Sequence, residues 1–432
     1  MSSEEKRKLK QTDIGMIPEE WQAKRVREFC LRITSGGTPS RTRPEYWDDG
    51  TVPWLKTQEL TDNNIYEAEE KITQIGLENS SAKLFSKNTV LMAMYGATVG
   101  KLGILKIEAT TNQAVCAMIV NERIADYRYL FYSLLNGREK LINLACGAAQ
   151  QNLNQDIIKD FLLPFPNLQE QKSITKILSD IDSKIELNCQ MEETLEAIGQ
   201  AVFKCWFVDF EFPNEEGKPY KSSGGEMVHD AVVDKEIPEG WVTGSLGNIC
   251  EITMGQSPPG ETYNETEEGV PFFQGIRDFG FRFPSRRVYC TAPTRFAQEG
   301  DVLLSVRAPV GSLNVADVRC AIGRGVAALR LKGKQNSFLY YLLLATRSAW
   351  DKYDAKGTVF GAATKQDVHD FKIAIPPKDL RDQFGELNEP LDQKILLNDK
   401  ESRNLTAIRD SLLPKLMSGK IRVPVKKENV EA

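Results

Sequence analysis

The chain is short of the residues that most enzymes lean on. It has two histidines in 432 residues. His229 lies in a stretch rich in Gly, Pro, Ser, Lys and Glu, and His369 stands beside an apolar run, so neither belongs to an H-E-x-x-H pattern. The eight cysteines (30, 116, 146, 189, 205, 250, 290 and 320) are scattered with no C-x-x-C spacing, which suits reduced thiols rather than a zinc site or a disulfide framework. There is no P-loop, and no Asn/Asp-Pro-Pro-aromatic motif of amino-methyltransferases. GATVG at 96–100 has neither the third glycine nor the downstream acid of a dinucleotide fingerprint, and reads as a tight turn between strands. EAEEK at 67–71 has no second carboxylate motif near it and reads as a solvated loop. No apolar run approaches the ~20 residues of a membrane span, and the opening MSSEEKRKLKQTD is too polar for a signal peptide. The expectation is a cytoplasmic chain with no membrane, no metal and no catalysis of its own.

What the sequence does have is a repetition. DSKIELNCQMEETLEAI at 182–198 returns as DQKILLNDKESRNLTAI at 392–408, with Asp182, Lys184, Ile185, Leu187, Asn188, Leu195, Ala197 and Ile198 each recurring 210 positions later without a gap. The match extends further. IPEEW at 17–21 returns as IPEGW at 237–241, ITSGGTPS at 33–40 as ITMGQSPP at 252–259, and VPWL at 52–55 as VPFF at 270–273. TVLMAMYGATVGKL at 89–102 returns as DVLLSVRAPVGSL at 301–313 with one residue dropped. YLFYSLL at 129–135 is echoed by FLYYLLL at 338–344, and NQDIIKDFLLPFP at 154–166 by KQDVHDFKIAIPP at 365–377. Two copies are too few for a solenoid. A pseudo-twofold pair within one chain follows, each half a globular unit and a helix.

The globular units mix strand-like runs (TVLMAMYG, AVCAMIV, DVLLSV, GVAALRL) with helix-like ones, so each is α/β or α+β with its strand order open. The repeated helix carries a seam at three- and four-residue steps: Ile174, Leu178, Ile181 and Ile185, then Asn188, then Met191, Leu195, Ile198 and Val202. The second copy supplies Leu387, Leu391, Ile395, Asn398, Leu405, Ile408 and Leu412. Two such stripes predict a coiled coil held by Ile181, Ile185, Asn188, Leu195 and Ile198 against Leu391, Ile395, Asn398, Leu405 and Ile408, with the asparagines fixing register. Pro414 predicts a kink or an end there.

The remaining features suit DNA. The net charge of −5 argues against indiscriminate coating of nucleic acid, yet from 277 to 334 eleven Lys or Arg stand against four acids. The loop GAAQQNLNQD at 147–156 holds Gln150, Gln151, Asn152 and Asn154, and ATTNQA at 109–114 holds Thr111, Asn112 and Gln113; Asn and Gln amides pair bidentately with adenine. Thr98 and Lys101 belong to the turn beside them. The matching places of the second unit carry Arg307, Arg324, Thr364 and Lys365, with Arg277 nearby, and Arg favours guanine. The two units agree at scaffold positions and differ at polar loop positions, as two readers of different texts would.

SGGTPSRTRPEYW…VPWLKTQEL, VLMAMYGATVGKLGI…ATTNQA, NLNQDIIKDFLLPFPNLQEQKSI and DFEFPNEEGKPYKSSGGEM followed by IPEGW together resemble the DNA-specificity subunit of type I restriction-modification systems, over about 15–423. The resemblance implies two target-recognition domains, at 1–166 and 237–375. It further implies spacer helices at 167–212 and 376–423 that lie antiparallel as a coiled coil, a connector at 213–236 and a charged tail at 424–432. It implies a non-catalytic chain that reads a bipartite, asymmetric sequence in double-stranded DNA. Two modification subunits, binding S-adenosylmethionine and methylating adenine, would be its partners, joined in some systems by two ATP-dependent restriction subunits. The second domain departs from the common pattern at MGQSPPGETYNETEEG and SVRAPVG, so the two half-sites are expected to differ. A DNA-binding coiled-coil scaffold, or a specificity protein without an active restriction partner, is the alternative.

Overall fold

A computed structural model describes residues 8–145, 152–231, 234–333, 336–354 and 361–424. The chain divides into two compact units: 1–184 with 404–432, and 185–403. Each unit therefore owns one globular domain, part of the first long helix (Leu168–Phe203) and part of the second (Lys378–Met417).

In the first unit a five-stranded sheet runs in the order Cys30–Ser35, Val115–Val120, Val90–Ala93, Leu102–Leu105, Asn63–Ile65. VLMA and VCAMIV are unbroken apolar runs because both faces of this sheet are covered. Alternate side chains point to opposite faces. Val90, Met92, Leu102, Cys116 and Met118 join a core with Tyr129, Leu130 and Leu134 of the helix Tyr127–Ala145. Leu91, Ala93, Val115 and Ala117 instead face Leu55, Leu60 and Phe85. The second unit repeats this. Cys250–Met254, Val326–Leu331, Val302–Ser305 and Leu313–Val315 form its sheet. Val302, Leu304, Ala327 and Leu329 point to the helix Ser337–Ala345, and Leu303 and Ala328 to Phe273 and Ile322.

The structure corrects the repeat register at one place. Asn154 caps the short helix Gln155–Asp160, and Thr364 caps Lys365–His369. These caps lie 210 apart, so the alignment of 154 with 365 is one residue out, and Ile158 matches Val368, both fully buried. The segment expected to be a connector is also built. Met227–Asp230 pairs with Lys235–Pro238, as Leu9–Thr12 pairs with Gly15–Pro18 in the first unit, and Phe212 stacks on Tyr220 and on Trp241.

The long helices run antiparallel. In the second unit Asn188 donates to the carbonyl of Asn398 at 3.4 Å and to Glu401 at 3.0 Å; in the first, Asp182 pairs with Arg409 at 2.9 Å. The seam itself differs from the expected one. Ile198 and Ile408 are 45% and 49% exposed, and Leu387 is exposed too. Glu192 and Glu196 are buried instead. Ile174 and Leu178 pack into the first globular core, and Phe203 and Phe384 into the second. The helix ends thus serve the domains, and polar residues fill the helix face between. Pro414 does not end the second helix, which continues to Met417; the proline removes the i−4 bond to the Asp410 carbonyl, but its own carbonyl still accepts from Ser418 N at 3.1 Å.

Glu192 carries the clearest pH dependence. Burial pushes its pKa up to about 7, Asp399 adds to the rise and Arg403 opposes it, and one carboxyl oxygen is buried without a hydrogen bond. A folded-state pKa above the unfolded value means that ionisation costs the folded form. Stability therefore falls as pH rises from about 4.5 to about 7 and stays lowered above that. Glu192→Gln is expected to raise the unfolding temperature at pH 8 and to leave it nearly unchanged at pH 4.5. An equal gain at both pH values, read by calorimetry, would contradict this assignment.

Candidate nucleic-acid interface

Sheet register gathers three connections at one end of each unit. Ser35 lies opposite Cys116, and Ala93 opposite Val115, so the segment after Ser35, the 94–101 turn and the 112–114 turn emerge together. In the second unit Met254 lies opposite Ala327, and Ser305 opposite Val326, which gathers the segment after Met254 with the turns at 306–312 and 323–325. The backbones meet closely here. A Cβ on Gly36 would fall 2.1 Å from the Thr111 carbonyl oxygen, and one on Gly255 2.1 Å from that of Gly323. Glycine is required at both positions because any side chain would separate the turns.

In the second unit the gathered turns form a cleft of about 200 Å³ lined by Ser257, Gln274, Ile276, Arg307, Ala308 and Arg324 with Gly275 and Gly325. Arg324 donates from Nε to Ser257 Oγ at 3.3 Å. Ala363 N bonds to the Val306 carbonyl at 2.9 Å, which brings the exposed Thr364 and Lys365 beside Arg307. Arg277 is exposed next to Ile276 on the cleft wall. In the first unit the corresponding end carries Gln113, whose Oε1 accepts from Thr38 Oγ1, and Tyr95, 39% exposed. Leu153 N bonds to the Met94 carbonyl at 3.0 Å, so Asn152 and Asn154 flank the same end.

Several of the residues expected to contact DNA also hold structural bonds. Thr111 is fully buried in its strand, and its hydroxyl donates to the Asn112 carbonyl at 3.2 Å. Asn112 Oδ1 accepts from Ala114 N at 3.1 Å and closes the turn. Asn154 Oδ1 accepts from Ile157 N at 2.9 Å, and Thr364 Oγ1 from Asp367 N at 3.2 Å, as helix caps. Lys101 is ion-paired with Asp62 at 2.7 Å, and Thr98 is half-buried in a single helical turn. Gln150 and Gln151 lie outside the described residues. The basic stretch is also less free than its count suggests. Arg286 pairs with Asp317, Arg287 with Asp278 and Arg330 with Asp301, and Arg282 with Glu196 and Asp392. Arg277, Arg307 and Arg324 have no ion pair among the described residues. Thr38, Tyr95, Ser257 and Gln274 were missed as members of the cluster; the VPWL/VPFF and GGTPS/GQSPP matches were the signal for Ser257 and Gln274.

With this geometry in place, comparison with known proteins defines the class. A family model, the type I restriction modification DNA specificity domain, matches residues 18–197 and 238–407, and the chain belongs to that family. It is 29% identical to the specificity subunit of the type I restriction enzyme MjaIX of Methanocaldococcus jannaschii over 436 residues, covering 96% of each chain. It is 30% identical to the MjaX specificity subunit of the same organism, covering 96% of this chain and 97% of that one. The solved type I restriction-modification S subunit from M. genitalium superimposes with a TM-score of 0.59 at 18% identity, over 95% of this chain and 98% of that chain, and so shares the fold. The chain is a DNA-specificity subunit, the non-catalytic kind of subunit in type I systems. No helix among the described residues is long and apolar enough to cross a membrane.

The structural role of Thr111 is testable. Thr111→Val removes one hydroxyl bond, worth about 1 kcal/mol, and is expected to lower the unfolding temperature slightly while leaving the selected DNA sequence unchanged. A changed base in the mapped target would restore Thr111 as a reader.

Proposed function

We propose that the chain reads a split, asymmetric DNA target, one half with each unit, and recruits modification subunits to it. The observation that carries the reading is the loop cluster built twice on one scaffold with different side chains: Gln113 and Tyr95 in one unit, Arg324 and Arg307 in the other. Arg277, Lys365 and Asn152 border the clusters and supply further contacts. The long helices, packed through Ile181, Ile185, Asn188 and Leu195 on one and Leu391, Ile395, Asn398 and Leu405 on the other, set the unread gap between half-sites. Modification takes place in the cytoplasm on subunits that bind S-adenosylmethionine, and ATP is bound by restriction subunits where the system has them.

Recruitment is supported by the helices' outward residues. Ile177, Leu187 and Ile198 on the first helix are exposed, and so are Leu387, Leu397 and Ile408 on the second, each 210 positions on. Large apolar side chains repeated at equivalent exposed sites suit partner helices. Exchanging residues 15–165 for another recognition domain is expected to change only one half of the methylated sequence in a mapped methylome. Changes in both halves, or in neither, would refute separate readers. Leu187→Glu with Leu397→Glu is expected to abolish co-purification with modification subunits without lowering the unfolding temperature.

A further inference from the structure

Gln113 and Arg324 occupy one position, written twice. Three pairs of backbone hydrogen bonds establish the equivalence. Gly37 N bonds to the Thr111 carbonyl at 2.8 Å, as Gln256 N does to that of Ile322 at 3.0 Å. Asn112 N bonds to Leu55 O at 2.9 Å, as Gly323 N does to Phe273 O at 2.8 Å. Met94 N bonds to Ala114 O at 2.8 Å, as Val306 N does to Gly325 O at 2.9 Å. The residue between these anchors is Gln113 in one unit and Arg324 in the other, and both are exposed. The hydroxyl that holds each is equivalent too: Thr38 for Gln113, Ser257 for Arg324.

We infer that this pair of positions sets one purine in each half-site, Gln113 selecting adenine and Arg324 selecting guanine. The inference rests on the split-site reading above. The chemistry follows from what each hydroxyl leaves unused. Ser257 takes the Nε hydrogen of Arg324, and the two terminal nitrogens keep four N–H donors. Guanine offers the matching acceptors, O6 and N7, whereas adenine turns its N6 amino group toward the same donors and is rejected. Arg307 adds a second positive charge to that cleft, and no carboxylate lines it among the described residues. In the first unit Thr38 donates to Oε1 of Gln113, which keeps a second lone pair there and two hydrogens on Nε2. That donor–acceptor pair matches N6 and N7 of adenine. Tyr95 stands where the second unit has Arg307, so the charge that disfavours adenine is absent from that position.

The test uses the full chain assembled with its modification subunits, selecting from a random-sequence duplex library and mapping the methylated targets. Arg324→Lys keeps the charge and loses the two-pronged geometry. It is expected to weaken guanine preference at one position of one half-site, and Arg324→Gln to lose it there by about tenfold to a hundredfold, with the other half intact in both. Gln113→Arg is expected to shift one position of the opposite half-site from adenine toward guanine. If Arg324→Lys keeps the wild-type preference while Arg324→Gln weakens all sequences equally, Arg324 is a phosphate contact and the inference is wrong. Gln113→Arg changing the same half-site as the Arg324 variants would also overturn it. A wild-type complex that selects no split site at all instead overturns the reading of the chain as a two-part reader.

Discussion

Arg282 is almost wholly removed from water, yet it comes from a loop of the second recognition domain and meets carboxylates from both long helices, Glu196 at 3.2 Å and Asp392 at 2.5 Å. Its guanidinium lies 3.5 Å over the ring of Tyr340, and Ser337 donates to the same Asp392. A buried charge of this kind adds little net stability against an apolar replacement, but losing one partner leaves the others unpaired and costs about 3–5 kcal/mol. Its value is geometric. One side chain fixes how the domain seats on both helices of its unit, and the position of the cleft lined by Arg307 and Arg324 depends on that seating.

The first unit solves the same problem with different residues. Asp182, the repeat partner of Asp392, accepts from Tyr132 at 2.5 Å and from Arg409 at 2.9 Å. There the cation comes from the opposite helix. The position equivalent to Arg409 in the second unit is Gly199, where a Cβ would lie 2.1 Å from the Tyr341 hydroxyl oxygen. The helix gives up its arginine so that Tyr341 can pack, and Arg282 replaces the charge from the domain. The asparagines have diverged as well. Asn188 is bonded to Asn398 O, Glu401 and Ser402, whereas both polar atoms of the Asn398 side chain are buried without a partner.

These substitutions mark where the sequence could be read and where it could not. Continuous apolar runs such as VLMA identified the covered strands, and the 210-residue repeat identified the duplicated architecture, because both signals are local or self-referential. The helix seam was misjudged at Ile198 and Ile408 because periodicity assigns burial to apolar residues. Glu196 is buried through Arg282 and Tyr340, 86 and 144 residues away, and no helical pattern records such partners. Charge counting failed for the same reason. Of the four acids between 277 and 334, Asp278, Asp301 and Asp317 are buried and each holds arginine, so the apparent surplus shrinks to a few exposed side chains. Thr111 looked like a polar loop residue and is part of the sheet, since its carbonyl and hydroxyl serve the crowded meeting of turns at Gly36.

The bonds that hold the clustered turns together run between main-chain atoms: Gly37 to Thr111, Asn112 to Leu55, and their counterparts in the second unit. Main-chain bonds are indifferent to which side chain stands between them. Side chains at positions 113 and 324 can therefore change without disturbing the bonds that carry them. On the reading inferred above, variation in what is recognised is decoupled from variation in whether the protein folds, and single substitutions suffice to change a target.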